Sequence, residues 1–151
     1  MTTQSEQKLS EEALKYIIED EDKLIKKFVL DKKPIPINIL TFFMAGSPGA
    51  GKTEFARRYV EASLKKNFLK MKKDKKIVGI LDAVGINIDN YDRLFISIDV
   101  DAIRESLPQY KKTDISKNIK GNAHIMQKAA NKGLDILRKY CFNNSISFLH
   151  D

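Results

Sequence analysis

The chain has 151 residues, 42% of them hydrophobic and 31% charged, and a formal net charge of +7. That balance predicts one soluble, globular domain with a single core. No apolar run reaches the roughly 18 residues of a membrane span, and the polar, acidic start "MTTQSEQKLSEEALKY" excludes a secretory signal.

Residues 9–30, "LSEEALKYIIEDEDKLIKKFVL", predict one helix. Ser10 is the candidate cap, and Ala13, Ile17, Leu24 and Phe28 recur at helical spacing. The acidic start and lysine-rich end suit the helix dipole. Pro34 and Pro36 then force extended backbone. "NILTFFMA", 38–45, is a continuous apolar run of strand length, as expected for a strand covered on both faces. Helical spacing returns over 52–68. Within 75–91 a short helix followed by a loop is expected, with Ile77, Ile80, Leu81 and Val84 on one face and Gly79 interrupting. "RLFISID", 93–99, is the second strand, and "DAIRESL", 101–107, a short helix ended by Pro108. Residues 116–142 predict a long helix with Ile119, Ala123, Met126, Ala130, Leu134 and Leu137 on one side. "SISFLHD", 145–151, is the third strand.

Strands separated by helices imply the α/β class, a parallel sheet with flanking helices preceded by an N-terminal helix. The chain divides into an N-terminal helical segment and linker, 1–37, and a domain over 38–151. The single cysteine, Cys141, has no internal disulfide partner; it is expected to pack in a helix as a small apolar residue, in keeping with a reducing cytoplasm. Much of the positive charge lies in "KKNFLKMKKDKK", 65–76. Phe68 is its one aromatic, so base stacking lacks support. The run reads as a solvated helix end and loop, not a nucleic-acid site, with an acidic protein as a further candidate partner.

Residues 46–53, "GSPGAGKT", match the phosphate-loop pattern G-x-x-x-x-G-K-[ST]. At average composition such a match arises by chance at roughly four in 100,000 starting positions. A strand is expected before it and a helix after it, as the motif requires. Gly46, Gly49 and Gly51 let the backbone wrap phosphate oxygens without a Cβ clash, while Ser47, Pro48 and Ala50 complete the cradle. The following helix would point its N-terminus at the same anion. Lys52 is expected to bridge the β- and γ-phosphates of ATP, and Thr53 to ligate Mg²⁺. ATPases, GTPases and small-molecule kinases all use such a loop.

"FISIDVDAIRESLPQY", 95–110, supplies the discriminating acids. In an open parallel sheet the chemistry sits at the carboxyl ends of strands, where Asp99 and Asp101 fall. Asp101 can accept a proton from a substrate hydroxyl, and it can also cap the helix it opens. Asp99 either orients the loop or reaches metal through water. Arg104 either contacts phosphate or substrate, or makes a surface salt bridge. His150 lies beside the expected site, but two histidines without matching spacing make no metal site. His124, among polar neighbours, is expected at the surface.

With these motifs, followed by "GNAHIMQKAANKGLDILRKY" and "ISFLHD", the chain resembles the zeta toxin family of P-loop kinases over about residues 38–151. The resemblance implies a P-loop NTPase-type sheet, ATP and Mg²⁺ as cofactors, and a sugar nucleotide such as UDP-N-acetylglucosamine as substrate. It implies Asp101 as catalytic base, Lys52 as the phosphate-loop lysine, and an antitoxin as candidate protein partner. Asp151 takes the place of the acid that ends the family's third strand, where it would position Mg²⁺ or substrate. Leu107-Pro108 stands where the family often has His-Pro, so substrate contacts are expected to differ. In P-loop kinases the first strand lies between the third and a fourth. The family continues beyond this point with more strands and an arginine-bearing segment, so residues 38–151 would hold only the N-terminal half of the fold, with the first strand at an edge. Arg57 and Arg58 lie past the first turn of their helix and are expected to point away from the phosphates. The short form is therefore expected to bind nucleotide poorly and transfer phosphate slowly or not at all. The alternatives are a nucleotide-binding protein that acts by binding a partner, and a P-loop kinase for another small molecule or a nucleic acid end.

Overall fold

A computed structural model describes residues 3–35, 41–43, 66, 69–70, 73–83, 85, 87, 93, 96–112, 116 and 121–150. Two helices open the chain, α1 (Gln4–Glu19) and α2 (Glu21–Phe28), followed by a 3₁₀ turn at Leu30–Lys32. Then come β1 (Thr41–Phe43), α3 (Lys75–Ala83), β2 (Ile96–Ile98), α4 (Val100–Glu105), α5 (Ala123–Asn143) and β3 (Phe148–His150). Of the helix expected over 52–68, Lys66 alone is described, and it is helical. No helix among the described residues is long and apolar enough to cross a membrane.

The expected single N-terminal helix is two, and it starts earlier. Thr3, not Ser10, is the cap. Its Oγ1 accepts from the Glu6 N–H at 3.2 Å, and Glu6 Oε2 accepts from the Thr3 N–H at 2.7 Å. This reciprocal pair satisfies two N–H groups that the first turn would otherwise leave open. The break falls at Asp20, whose φ and ψ of −107° and 35° leave the helical region. Glu19, Asp20, Glu21 and Asp22 are consecutive acids. A break there puts Glu21 and Asp22 in the first turn of a new helix, where negative charge is favoured, instead of mid-helix.

The chain forms two compact units, Met1–Lys32 with Ile98–Asn144, and Lys33–Ser97 with Ser145–Asp151. In the first, α1, α2 and α4 pack on α5. The N-terminal helical segment thus contributes to a core with distant sequence. Ala13, Ile17, Leu24, Ile25, Phe28 and Val29 are all buried there. On α5 the buried stripe is Ile125, Met126, Ala129, Ala130, Gly133, Ile136, Leu137 and Cys141. Met126, Ala130 and Leu137 were expected on it, Ala123 and Leu134 are only half-buried, and Ile119 lies outside the described residues. Gly133 lets the helices approach. A Cβ there would stand 2.9 Å from Ile103 Cγ2 and 3.5 Å from both Ile17 Cδ1 and Leu24 Cδ2. The helix begins at Ala123 instead of 116; Asn122 precedes it and makes no side-chain capping bond.

The second unit holds α3 and most of a three-stranded sheet of order β1-β3-β2. β1 and β3 are parallel, with Thr41 opposite Phe148, Phe42 opposite Leu149 and Phe43 opposite His150. The Ile96 N–H donates to the Ser147 carbonyl at 3.1 Å. All three strands fall inside the runs expected of them, the class is mixed α/β, and β1 is an outer strand beside β3. Phe148 and Leu149 are both buried, which places cover on both faces of β3. α3 forms despite Gly79, which is exposed.

Candidate functional site

The phosphate-loop residues Gly46, Ser47, Pro48, Gly49, Ala50, Gly51, Lys52 and Thr53 lie outside the described residues, as do Arg57, Arg58 and Asp151. β1 ends at Phe43, three residues before Gly46 in the chain. The described part of the candidate site is the β2-to-α4 junction, which brings Asp99, Asp101 and Arg104 together.

Asp99, and not Asp101, caps α4. Its backbone is extended (φ −107°, ψ 118°), and its Oδ1 accepts from the Asp101 N–H at 2.8 Å. Only a residue just outside the helix can turn its side chain back onto the first open N–H groups, and the helix starts one residue earlier than the sequence suggested. Asp101 is left without a capping duty. Its side chain is 64% exposed, on the first turn of α4, and its Oδ1 accepts from Arg104 Nη2. Arg104 forms an ion pair with Asp101. Its side chain is only 19% exposed, because Nη1 donates to Gln127 Oε1 of α5 at 2.8 Å. Gln127 in turn donates from Nε2 to Asn131 Oδ1 at 2.9 Å.

The segment leaving α4 is also tied to α5. Ser106 Oγ donates to the Ile103 carbonyl at 2.6 Å. Leu107 is 3% exposed and belongs to the core. Asn122 is buried and spans the loop. Its Oδ1 accepts from the Lys111 N–H at 2.6 Å, and its Nδ2 donates to the Gln109 carbonyl at 2.8 Å. Asn122 and Gln127 were both invisible to sequence reading. The one usable signal was an asparagine three residues before an apolar helical pattern at Ile125, the mark of a helix start.

Three further groups have defined surroundings. Burial pushes the Cys141 thiol up to about 11, with Lys32 partly opposing, so the thiol is protonated at neutral pH and is no nucleophile. Partial burial holds the Lys32 ammonium below its usual range, against the attraction of Asp99. The Thr3 N–H holds the Glu6 carboxyl below its usual range, and the Thr3 hydroxyl and His124 act in the same direction. His124 is exposed, with Nε2 3.9 Å from Glu6 Oε1. Among the described residues, no group of three or more His, Cys, Asp or Glu side chains could hold a metal.

What the junction offers chemically is an exposed carboxylate on the helix that follows a sheet strand, with one oxygen held by a guanidinium and the other edge toward solvent. No protein-family model matches the chain, and no match to it was found among curated proteins or among solved structures.

Proposed function

We propose that this protein is an ATP-dependent P-loop kinase of the zeta toxin type, transferring the γ-phosphate of ATP to a hydroxyl of a sugar nucleotide such as UDP-N-acetylglucosamine. The observation that carries the reading is one of chain order on a sheet. A full phosphate-loop sequence starts three residues after β1, a strand paired in parallel with β3. An exposed acid, Asp101, follows β2 in the chain. Ligands of open parallel sheets bind beyond the carboxyl ends of such strands.

In this reading the loop amides from Gly46 to Gly51 and the Lys52 ammonium bind the phosphates. The Thr53 hydroxyl and the Asp151 carboxylate are hard oxygen donors of the kind Mg²⁺ prefers, and Mg²⁺ would neutralise charge on the phosphates. Asp101 accepts the proton of the attacking hydroxyl. Asp99 is absorbed in capping α4 and thereby fixes where Asp101 stands.

Calorimetry with ATP and Mg²⁺ tests the first half: Lys52→Ala should weaken binding while the far-ultraviolet dichroism is unchanged. Single-turnover transfer from labelled ATP to UDP-N-acetylglucosamine tests the second, because protein in excess reveals even slow chemistry. Asp101→Asn should slow transfer by about 10²–10⁴-fold with ATP affinity nearly intact. Equal ATP affinity for the wild type and Lys52→Ala would defeat the nucleotide site. Transfer by Asp101→Asn at the normal rate would remove Asp101 as base.

A further inference from the structure

The Arg104 guanidinium is shared between two helices. Nη2 donates to Asp101 within α4, and Nη1 donates to Gln127 Oε1 on α5 at 2.8 Å. Gln127 is itself oriented, since its Nε2 donates to Asn131 Oδ1, one turn further along α5, at 2.9 Å. That bond decides which end of the amide faces Arg104. An exposed ion pair three residues apart on a helix holds its partners weakly, because both side chains keep exchanging rotamers. Here the guanidinium side is anchored and largely covered, at 19% exposure, and the carboxylate side is open, at 64%. The planar fork of arginine permits this two-ended use, whereas a lysine ammonium has no second end to give.

We propose that Gln127 is a positioning residue for Asp101, acting through Arg104. It holds the guanidinium, the guanidinium holds Oδ1, and Oδ2 is left facing the substrate hydroxyl. The inference rests on the kinase reading, in which that hydroxyl attacks ATP. Its proton passes to Oδ2 as its oxygen bonds to the γ-phosphorus. The bond from that phosphorus to the bridging oxygen breaks, and its electron pair leaves with ADP. Arg104 is then a strut and not a phosphate ligand.

The test compares the wild type, Gln127→Met and Gln127→Glu in the full chain. Methionine keeps the length and helical preference of glutamine but offers Arg104 no oxygen, and glutamate restores one. Single-turnover transfer is measured against ATP concentration, and the mobility of the Arg104 side chain is read from ¹⁵N relaxation of its Nε–H. Gln127→Met should lower the saturated rate about tenfold, since small misplacements of a reacting group are costly. The half-saturating ATP concentration should stay within about twofold, and Gln127→Glu should recover most of the rate. The Arg104 side chain should be rigid in the wild type and Gln127→Glu and mobile in Gln127→Met. A Gln127→Met protein with the wild-type rate, or with an equally rigid Arg104, would overturn the proposal. Should the wild type neither bind ATP nor transfer phosphate, the kinase reading falls, and the relaxation data alone still decide whether Gln127 restrains Arg104.

Discussion

The buried side-chain amide of Asn122 satisfies the Lys111 N–H and the Gln109 carbonyl together, which neither of its isosteres, aspartate and leucine, can do. Alanine would leave both backbone groups without their partner, at a cost of about 1–3 kcal/mol. Aspartate keeps the shape of asparagine, but its second oxygen would face the Gln109 carbonyl. Asn122→Asp should therefore lower the urea midpoint much as Asn122→Ala does, with unchanged slope; a neutral Asn122→Asp would show that the bond to the Gln109 carbonyl contributes nothing to stability. Cys141 gives a prediction in pH. The native thiol keeps its proton up to about 11, while the ordinary value is 9.0. Between those values the native state binds more protons than the unfolded state, so stability falls as pH rises, and below about 9 the effect vanishes. The two-unit shift corresponds to roughly 2–3 kcal/mol. Lys32 titrates with the opposite sign, so the informative comparison is between chains differing only at residue 141. Cys141→Ala should lose part of the decline between pH 9 and 11, and identical pH profiles would refute the buried-thiol account. Asn122 and Gln127 show why half the candidate site was illegible in sequence. Asp99, Asp101 and Arg104 lie within one six-residue stretch, so their meeting follows from local spacing. Gln127 meets Arg104 across 23 residues, and only the packing of α4 on α5 brings them together.

Two helical glycines separate what a helix wants from what a packed pair of helices wants. Gly79 on α3 has nothing within 4 Å of where a Cβ would stand, and Gly133 on α5 has Ile103 Cγ2 at 2.9 Å. In both, alanine recovers about 0.8–1.0 kcal/mol of helix propensity. At Gly79 that gain stands alone, so Gly79→Ala should raise stability by about 0.5–1 kcal/mol. At Gly133 the methyl group must displace a fully buried side chain, and overpacking typically costs about 1–3 kcal/mol. Gly133→Ala should come out destabilised by about 1–2 kcal/mol. Thermal melts of the two variants should move in opposite directions, and a stabilised Gly133→Ala would mean that α4 can slide on α5 without loss. The same contrast explains how far the elements could be read. β1, β2 and β3 lie within apolar runs bounded by polar residues or prolines, and period and length alone locate such runs. The starts of α1 and α4 were displaced because side-chain caps fix them, reciprocally at Thr3 with Glu6 and in one direction at Asp99, which accepts from the Asp101 N–H. The sequence pattern pointed to caps at Ser10 and Asp101, because each stands just before an apolar helical pattern, and the caps formed lie earlier in the chain.

At the scale of the molecule, neither unit is a continuous piece of chain. The backbone passes between them after Lys32, after Ser97 and after Asn144. Residues 1–32 bury Ile17, Leu24, Ile25, Phe28 and Val29 in a unit whose other half is residues 98–144. At about 1.5–3 kcal/mol for each large apolar side chain, these five contribute on the order of 7–15 kcal/mol. Whole domains are stable by only about 5–15 kcal/mol. Residues 33–151 on their own should therefore fail to fold in the region of α4 and α5, and the Asp101–Arg104–Gln127 arrangement should be lost with it. The expected signs are a broad, uncooperative thermal transition, binding of a hydrophobic dye, and a mobile Arg104 side chain. Adding residues 1–32 as a separate peptide should restore a cooperative transition at a midpoint that rises with peptide concentration, since binding stabilises the state it binds. A shortened chain that melts cooperatively within a few degrees of the full one would show instead that α1 and α2 are an appendage, and that the core beneath the candidate site is closed by 33–151 alone.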